Sequence, residues 1–350
     1  MIMPYTISID VTYRCTLRCL HCYNSSGETS TNKEELSDDE LFSAIIELGK
    51  LSPRTLCYCG GEPLLRKDVL LSATKELRKV NRNININMVT NGELLTEAVA
   101  DEIVESGITL VQVSLDGSKS DSHDWLRGKN GAYDKAISAL TFLNERKRFN
   151  KEQAIHTAVS YIPNKVNIDE INDAMDLCES LGVEMFRVQP LMLLGRAKRN
   201  LSEHILSNQE YKILSKKLLE RKRRNDSLQK MVIEWGDPID HLLTAENTSY
   251  PFLAINAYGD ILVSPYLPVT LGNIKNASIH EYISKGLFDK WSDPLIRYWA
   301  NMILCPENMD ISEKTDLPEI FHGFVNFDVL DEDFDLQMIT EMNRIISERG

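Results

Sequence analysis

The chain has 350 residues, 43% hydrophobic and 26% charged, with a formal net charge of −13 and seven cysteines. That length holds one large domain, or a large and a small one, and the acidic balance argues against a nucleic-acid backbone as partner, because phosphate binding needs clustered Lys and Arg. No run approaches the ~18 apolar residues of a membrane helix, no secretory signal is visible, and an odd set of cysteines without a disulfide framework points to a reducing cytoplasm.

Strands and helices alternate through the first two-thirds. Residues 5–11 read as a strand. Ser37-Asp38-Asp39-Glu40 forms a capping box ahead of a stripe of Leu41, Ile45 and Leu48, which predicts a helix. A second strand follows at 54–59 and a helix over about 68–79. Residues 83–89 place Ile84, Ile86 and Met88 in alternation with Asn, the period of a strand. A helix near 95–106 stops at Gly107, a C-cap signal. Strands at 109–114, 154–161 and 183–188 are separated by helices near 132–147 and 167–181. Such alternation predicts parallel strands with helices packed outside. The expected fold is α/β: a partial (β/α)6 TIM-like barrel over residues 1–200, followed by a small α+β extension over 201–350. The extension reads as a helix near 208–224 leading to residues 231–235, a hairpin over 252–264 and helices near 278–286, 293–302 and 333–348. The basic run from Lys216 to Arg224 falls at helical spacing and reads as a solvated face.

Chemistry concentrates in the loop after the first strand, Cys15-Thr-Leu-Arg-Cys19-Leu-His-Cys22-Tyr23. Three thiolates hold three corners of a [4Fe–4S] cluster and leave one iron without a protein ligand, whereas clusters are usually held by four Cys. A zinc site with His21 as fourth ligand is the alternative, although zinc spacings usually come as two separated pairs. Further motifs sit at the carboxyl ends of the expected strands, where barrel chemistry gathers. They are Gly60-Gly61-Glu62-Pro63, Val89-Thr90-Asn91-Gly92, Val113-Ser114-Leu115-Asp116-Gly117, His123-Asp124-Trp125-Leu126-Arg127-Gly128 and Gln189-Pro190.

Together, and in this order, these motifs resemble those of the radical S-adenosylmethionine (SAM) superfamily, over roughly residues 5–200. The resemblance implies one [4Fe–4S] cluster on Cys15, Cys19 and Cys22, with SAM completing the fourth iron. It implies Glu62 beside the SAM ammonium, and Gly60 and Gly61 allowing close backbone approach. Tyr23 is expected by the adenine or in the core. Ser114 and Asp116 are expected at the sugar or methionyl part, or Asp116 as a turn cap. Asn91 is a cofactor contact or a left-handed turn residue, Arg127 a partner of the SAM carboxylate or a surface salt bridge, and Gln189 a cofactor contact or a strand end. His21, His156 and Cys178 read as structural. Cys57 and Cys59 share a strand face; Cys59 is a candidate hydrogen donor to a substrate radical, or one of two small barrel-lining residues.

The C-terminal part resembles the SPASM/twitch extension of certain radical SAM enzymes through Ala254-Ile255-Asn256, Tyr258-Gly259-Asp260 and Leu271-Gly272-Asn273-Ile274. The thiols that would hold auxiliary clusters there are missing: Tyr250-Pro251-Phe252 and Ser264-Pro265 stand beside the hairpin, and Cys305 is the one cysteine after Cys178. No auxiliary cluster is therefore expected. The resemblance implies reductive cleavage of SAM to a 5′-deoxyadenosyl radical, fed by a flavodoxin or ferredoxin, and hydrogen abstraction from an unactivated C–H bond. A ribosomally made peptide is the first expectation for substrate, with a sugar, nucleoside or amino-acid metabolite as the alternative and a non-enzymatic metal-binding protein as a different class. Cys15 lies close to the start of the chain, which leaves no room before it for a leader-peptide recognition domain. Without an auxiliary electron acceptor, redox-neutral outcomes such as epimerisation, rearrangement or elimination are expected.

Overall fold

The computed structural model describes residues 3–28, 33–149, 155–236, 240–243, 251–304 and 325–349. Six parallel strands form the barrel: β1 (Thr6–Asp10), β2 (Thr55–Cys59), β3 (Asn85–Thr90), β4 (Leu110–Ser114), β5 (His156–Tyr161) and β6 (Met185–Val188). The helices between them are α1 (Asp38–Lys50), α2 (Lys67–Val80), α3 (Glu97–Ser106), α4 (Ser120–Arg127), α5 (Ala132–Phe149) and α6 (Ile171–Leu181). The capping box at α1 is present: Glu40 N–H donates to Ser37 Oγ at 3.2 Å and Ser37 N–H to Glu40 Oε2 at 2.8 Å. Gly107, at φ +91°, ends α3 as expected. Helix α4 carries the His123–Arg127 motif, which the sequence reading left without an element.

Beyond β6 come α7 (Arg196–Asn200), α8 (Asn208–Leu228), β7 (Val232–Trp235), α9 (Asp240–Leu243), β8 (Phe252–Ile255), β9 (Asp260–Ser264) and β10 (Leu267–Asn273). Then follow α10 (Ile279–Ser284), α11 (Pro294–Leu304), β11 (Val325–Asn326) and α12 (Phe334–Arg349). All strands join one sheet in the order β11-β10-β9-β8-β1-β2-β3-β4-β5-β6-β7. The partial barrel is thus widened at both edges, by β7 parallel to β6 on one side and by β8, parallel to β1, followed by β9, β10 and β11 on the other. No break in the sheet falls at residue 200. Tyr250 and Cys305 lie outside the described residues.

Period-two patterning decides what faces where. Ile7, Ile9, Leu56, Tyr58, Ile86, Val111, Val113, Phe186 and Val188 are fully buried under the helices. The alternate positions turn into the lumen, and the register lines them up: Ser8 with Cys57 and Asn87, Asp10 with Cys59, Ser114 with Ser160, Arg187 and Glu234. The outer face is an apolar core; the inner one is polar.

The β8–β9 turn explains the Asn256 motif. Asn256 is fully buried. Its Oδ1 accepts from the Tyr258 and Asp260 amides, both at 2.9 Å, and its Nδ2 donates to Asp260 Oδ2 at 3.0 Å. Asn273 Nδ2 donates to the same aspartate at 2.8 Å, tying β10 to the turn. Removing the amide leaves buried donors unsatisfied. Asn256→Ala is expected to cost roughly 2–3 kcal/mol, read as a lower thermal midpoint; an unchanged midpoint would contradict this account of the turn.

Candidate active site

Residues 11–28 leave β1 without entering regular structure, so their backbone groups need partners from elsewhere. Gly61 N–H donates to Thr12 O at 2.7 Å and Glu62 N–H to Arg14 O at 3.0 Å. A Cβ on Gly60 would lie 2.4 Å from Thr12 O, and one on Gly61 2.3 Å from Arg14 O. Gly60 also has φ +118°. The two glycines therefore serve a backbone-to-backbone approach onto the start of the cysteine loop, which the sequence reading had assigned to the cofactor. Leu20 N–H donates to Leu126 O at 2.8 Å and Arg196 N–H to Cys22 O at 2.9 Å. The buried Arg196 side chain adds Nε to Cys19 O at 2.8 Å and a bond to Ser26 O at 2.9 Å. Gly195 fits against Tyr23 O where a Cβ would stand at 2.3 Å. Glu35 accepts from Thr12 Oγ1 at 2.7 Å and Tyr13 N–H at 2.6 Å.

Cys15, Cys19 and Cys22 gather in one small cluster with Leu17 and Ala132. Asn91 Nδ2 reaches Cys15 Sγ at 3.7 Å and Thr16 Oγ1 at 3.2 Å. Arg127 reaches Cys19 Sγ at 3.9 Å. Cys22 Sγ donates to Asn24 Oδ1 at 3.0 Å. Burial raises the Cys15 thiol, and burial followed by the neighbouring Cys19 pushes Cys22 up to about 11. Among the described residues no three His, Cys, Asp or Glu side chains converge on a point that a single metal ion could occupy. His21, the proposed fourth zinc ligand, instead lies 3.7 Å from Asp116 and is held neutral by burial, its pKa lowered to about 3.

Other expected site residues partner one another. Asp116 is fully buried and pairs with Arg127 at 2.5 Å. Its Oδ1 accepts from Ile162 N–H at 2.8 Å, while its own N–H donates to His123 Nδ1 at 3.0 Å. Burial works to raise this carboxyl, but Arg127, then His21 and His123, hold it below the usual range. Asp116 and Arg127 are thus an internal ion pair behind Cys19, which replaces both the surface salt bridge expected for Arg127 and the turn cap expected for Asp116. Arg127 Nε stays buried without a hydrogen-bond partner among the described residues. Glu62, fully buried, accepts from Leu64 N–H at 3.1 Å, Thr90 Oγ1 at 2.8 Å and Asn91 N–H at 2.9 Å. Its pKa is raised to about 7, chiefly by burial. Asn91 is not the left-handed residue; Gly92 is, at φ +82°.

The Tyr23 ring packs against Tyr266, from the turn before β10, at 4.7 Å between centroids and a 49° tilt, so the extension touches the cysteine loop. Gln189 Oε1 accepts from Ser160 Oγ at 3.4 Å, and Ser114 ends β4 opposite Ser160. Cys59 Sγ lies 3.4 Å from Cys57 Sγ, with Asp10 opposite in register. Burial raises Asp10 to about 7, with a hydrogen bond to Tyr13 opposing it. His156 pairs with Glu184 at 2.9 Å, and Cys178 is fully buried in the core, as expected of structural residues. Asp10, Glu35, Thr90, Arg187 and Arg196 were missed. Thr90 lay inside the quoted Val89–Gly92 motif without a role of its own, and Gly195-Arg196, a glycine before a cation after a strand, also carried a local signal.

This arrangement is that of a radical SAM enzyme, and comparison agrees: residues 9–178 match the Radical SAM superfamily. Just under half of the chain lies in that match, and over it the family implies SAM and a [4Fe–4S] cluster. It is 27% identical over 313 residues to the AdoMet-dependent heme synthase of Methanosarcina barkeri, covering 83% of this chain and 85% of that one. It is 24% identical over 260 residues to the PqqA peptide cyclase of Rhizobium meliloti, covering 74% and 64%. The chain spans only about half, 45–56%, of the length of the four curated relatives that follow the first. Among solved structures, AdoMet-bound anSMEcpe shares the fold at TM-score 0.64 and 15% identity, over 99% of this chain and 98% of that one. SuiB of Streptococcus suis bound to its precursor peptide SuiA does so at 0.63 and 16%, over 88% and 71%.

The residues fit the family's cofactors. The loop offers three thiols, and, among the described residues, the unpartnered Arg127 Nε and the unused lone pair of Glu62 are a donor and an acceptor suited to a zwitterionic amino acid. In the metal-free chain the raised pKa keeps Cys22 protonated. It is expected to react with iodoacetamide at neutral pH roughly ten- to a hundred-fold more slowly than a free cysteine; equal rates would contradict the buried placement.

Proposed function

We propose that this enzyme takes a hydrogen atom from an unactivated C–H bond of a ribosomally made peptide, with a redox-neutral outcome. When bound, the family's cofactors supply a 5′-deoxyadenosyl radical by one-electron cleavage of the sulfonium. The chain's own residues hold, orient and shield. Cys15, Cys19 and Cys22 ligate the cluster. Glu62 receives the SAM ammonium, which returns its carboxyl toward the ionised form. Arg127 meets the SAM carboxylate. Tyr23, Asn91, Ser114, Asp116 and Gln189 line or brace the same pocket. Gly60 and Gly61 keep the loop pressed to the strand end.

The observation that carries the substrate reading is the lumen lining. Asn87 and Gln112 present amides that both donate and accept, and Arg187 and Glu234 present one charge of each sign, 3.4 Å apart. Such a surface suits the alternating donors and acceptors of a peptide better than a flat apolar macrocycle. Likeness to the PqqA peptide cyclase and to SuiB supports it. The heme synthase likeness favours a second reading, a tetrapyrrole substrate; a small polar metabolite fits the lining as well. We further propose a single cluster, a flavodoxin or ferredoxin as electron donor, and a cytoplasmic setting, in keeping with six unpaired cysteines among the described residues.

Two measurements test this. Iron and sulfide in anaerobically reconstituted protein are expected at about four each per chain; twice that would overturn the single-cluster reading. With dithionite and SAM, 5′-deoxyadenosine formation is expected to rise on adding a peptide encoded beside the gene, and not on adding iron-coproporphyrin. The reverse pattern would replace the peptide reading with the tetrapyrrole one.

A further inference from the structure

Among the described strands, Arg187 is the one lysine or arginine. Period two turns it into the lumen, between the fully buried Phe186 and Val188. It stands one residue before the end of β6, in register with Ser160 of β5 and Glu234 of β7. Asp10 and Arg187 are the charged groups that face Cys59, at the end of β2. The guanidinium thus looks toward the strand end from which Gly60 and Gly61 reach the cysteine loop.

Its place is shaped by Gly236, whose N–H donates to Val188 O at 2.8 Å. A Cβ on Gly236 would stand 2.6 Å from Arg187 Nε and 3.1 Å from Nη2, so a side chain there would displace the guanidinium. Yet little of the guanidinium is used. Its single ion pair, Nε to Glu234 Oε2, is long at 3.4 Å, and Nε is buried with no hydrogen-bond partner among the described residues. The side chain is 38% exposed, and both Nη groups are without a partner among those residues. The arginines that brace this fold behave differently. Arg66, Arg78 and Arg196 each spend their guanidinium on two or more backbone carbonyls.

We propose that Arg187 anchors the substrate: its two Nη groups hold a carboxylate of the peptide, either an acidic side chain or a free C-terminus, beside the residue that is attacked. This rests on the reading of the substrate as a peptide and adds to it a chemical group the peptide must carry. The planar fork presents two parallel N–H donors to the two carboxylate oxygens, a match that lysine lacks. Glu234 approaches Nε and leaves the Nη edge to the ligand. Asp10 is the other acid facing this end of the lumen. Burial raises its carboxyl to about 7, so at neutral pH it is partly protonated and opposes an incoming anion only in part. A peptide with a carboxylate at this point is selected, and its amide counterpart is rejected.

Arg187 can be read without the radical reaction. Reconstituted protein is given SAM but no reductant, treated with phenylglyoxal, which modifies open guanidinium groups, and digested with chymotrypsin. Cleavage after Phe186 and Leu191 releases Arg187 in a peptide with no other arginine. Four acetylated pentapeptides compete at equal ionic strength. Three are amides with four alanines around a central glutamate, glutamine or lysine; the fourth is five alanines with a free carboxyl end. Arg187 is expected to be modified in the protein alone. The glutamate peptide, or the one with the free carboxyl end, is expected to protect it at about a tenth of the glutamine peptide's concentration or less. Which of the two protects tells the carboxylate sources apart. An unmodified Arg187, or carboxylate peptides no better than the glutamine and lysine ones, would overturn the proposal. Either result leaves the peptide reading standing, because 5′-deoxyadenosine formation decides that reading separately. With the peptide encoded beside the gene, Arg187→Gln is expected to raise KM roughly tenfold or more, with Arg187→Lys in between. An unchanged KM in Arg187→Gln would contradict the anchor.

Discussion

A loop with no helix or strand of its own has to hold three thiols still. That is the constraint on which the rest of the site depends. The chain meets it by lending residues 11–28 the backbone of other elements: the Gly60–Glu62 strap after β2, Leu126 of α4, and Arg196 after β6. Glycine is required at the strap because any Cβ there would enter the loop's carbonyls. Each tether starts at the carboxyl end of a strand or in the segment that follows it. The parallel sheet thereby fixes the loop from several sides at once.

Buried charge is the second element of the design. Asp116 and Arg127 are costly to bury singly and tolerable together. Their pairing places a guanidinium behind Cys19. The guanidinium reaches that sulfur at 3.9 Å without being a ligand itself. Glu62 shows the opposite balance. It is buried against hydrogen-bond donors with no ion-pair partner among the described residues, and burial is the chief cause of its raised pKa.

Much of this was legible because it is local. Strand and helix periods, the α1 capping box and the three-cysteine spacing are read within a few residues, and they place the barrel and the loop correctly. What was illegible is what distance in sequence hides. Nothing near β8 announces that it pairs with β1, or near β7 that it joins the far edge beside β6. Tyr23 read as an adenine neighbour or a core residue, and its ring partner, Tyr266, lies more than two hundred residues on. Asp116 and Arg127 were each weighed against the cofactor singly, and their mutual pairing depends on the turn between β4 and α4. The Asn91-Gly92 pair shows a finer limit: composition marks the turn, and only the backbone assigns the left-handed angle to the glycine.

The central claim is that three thiols leave one vertex of the cluster open to SAM. Electron paramagnetic resonance of the reduced protein, with and without SAM, tests it most directly. The account predicts one [4Fe–4S]+ signal whose g-values shift when SAM is added. A signal unmoved by SAM, or none after anaerobic reconstitution, would contradict it.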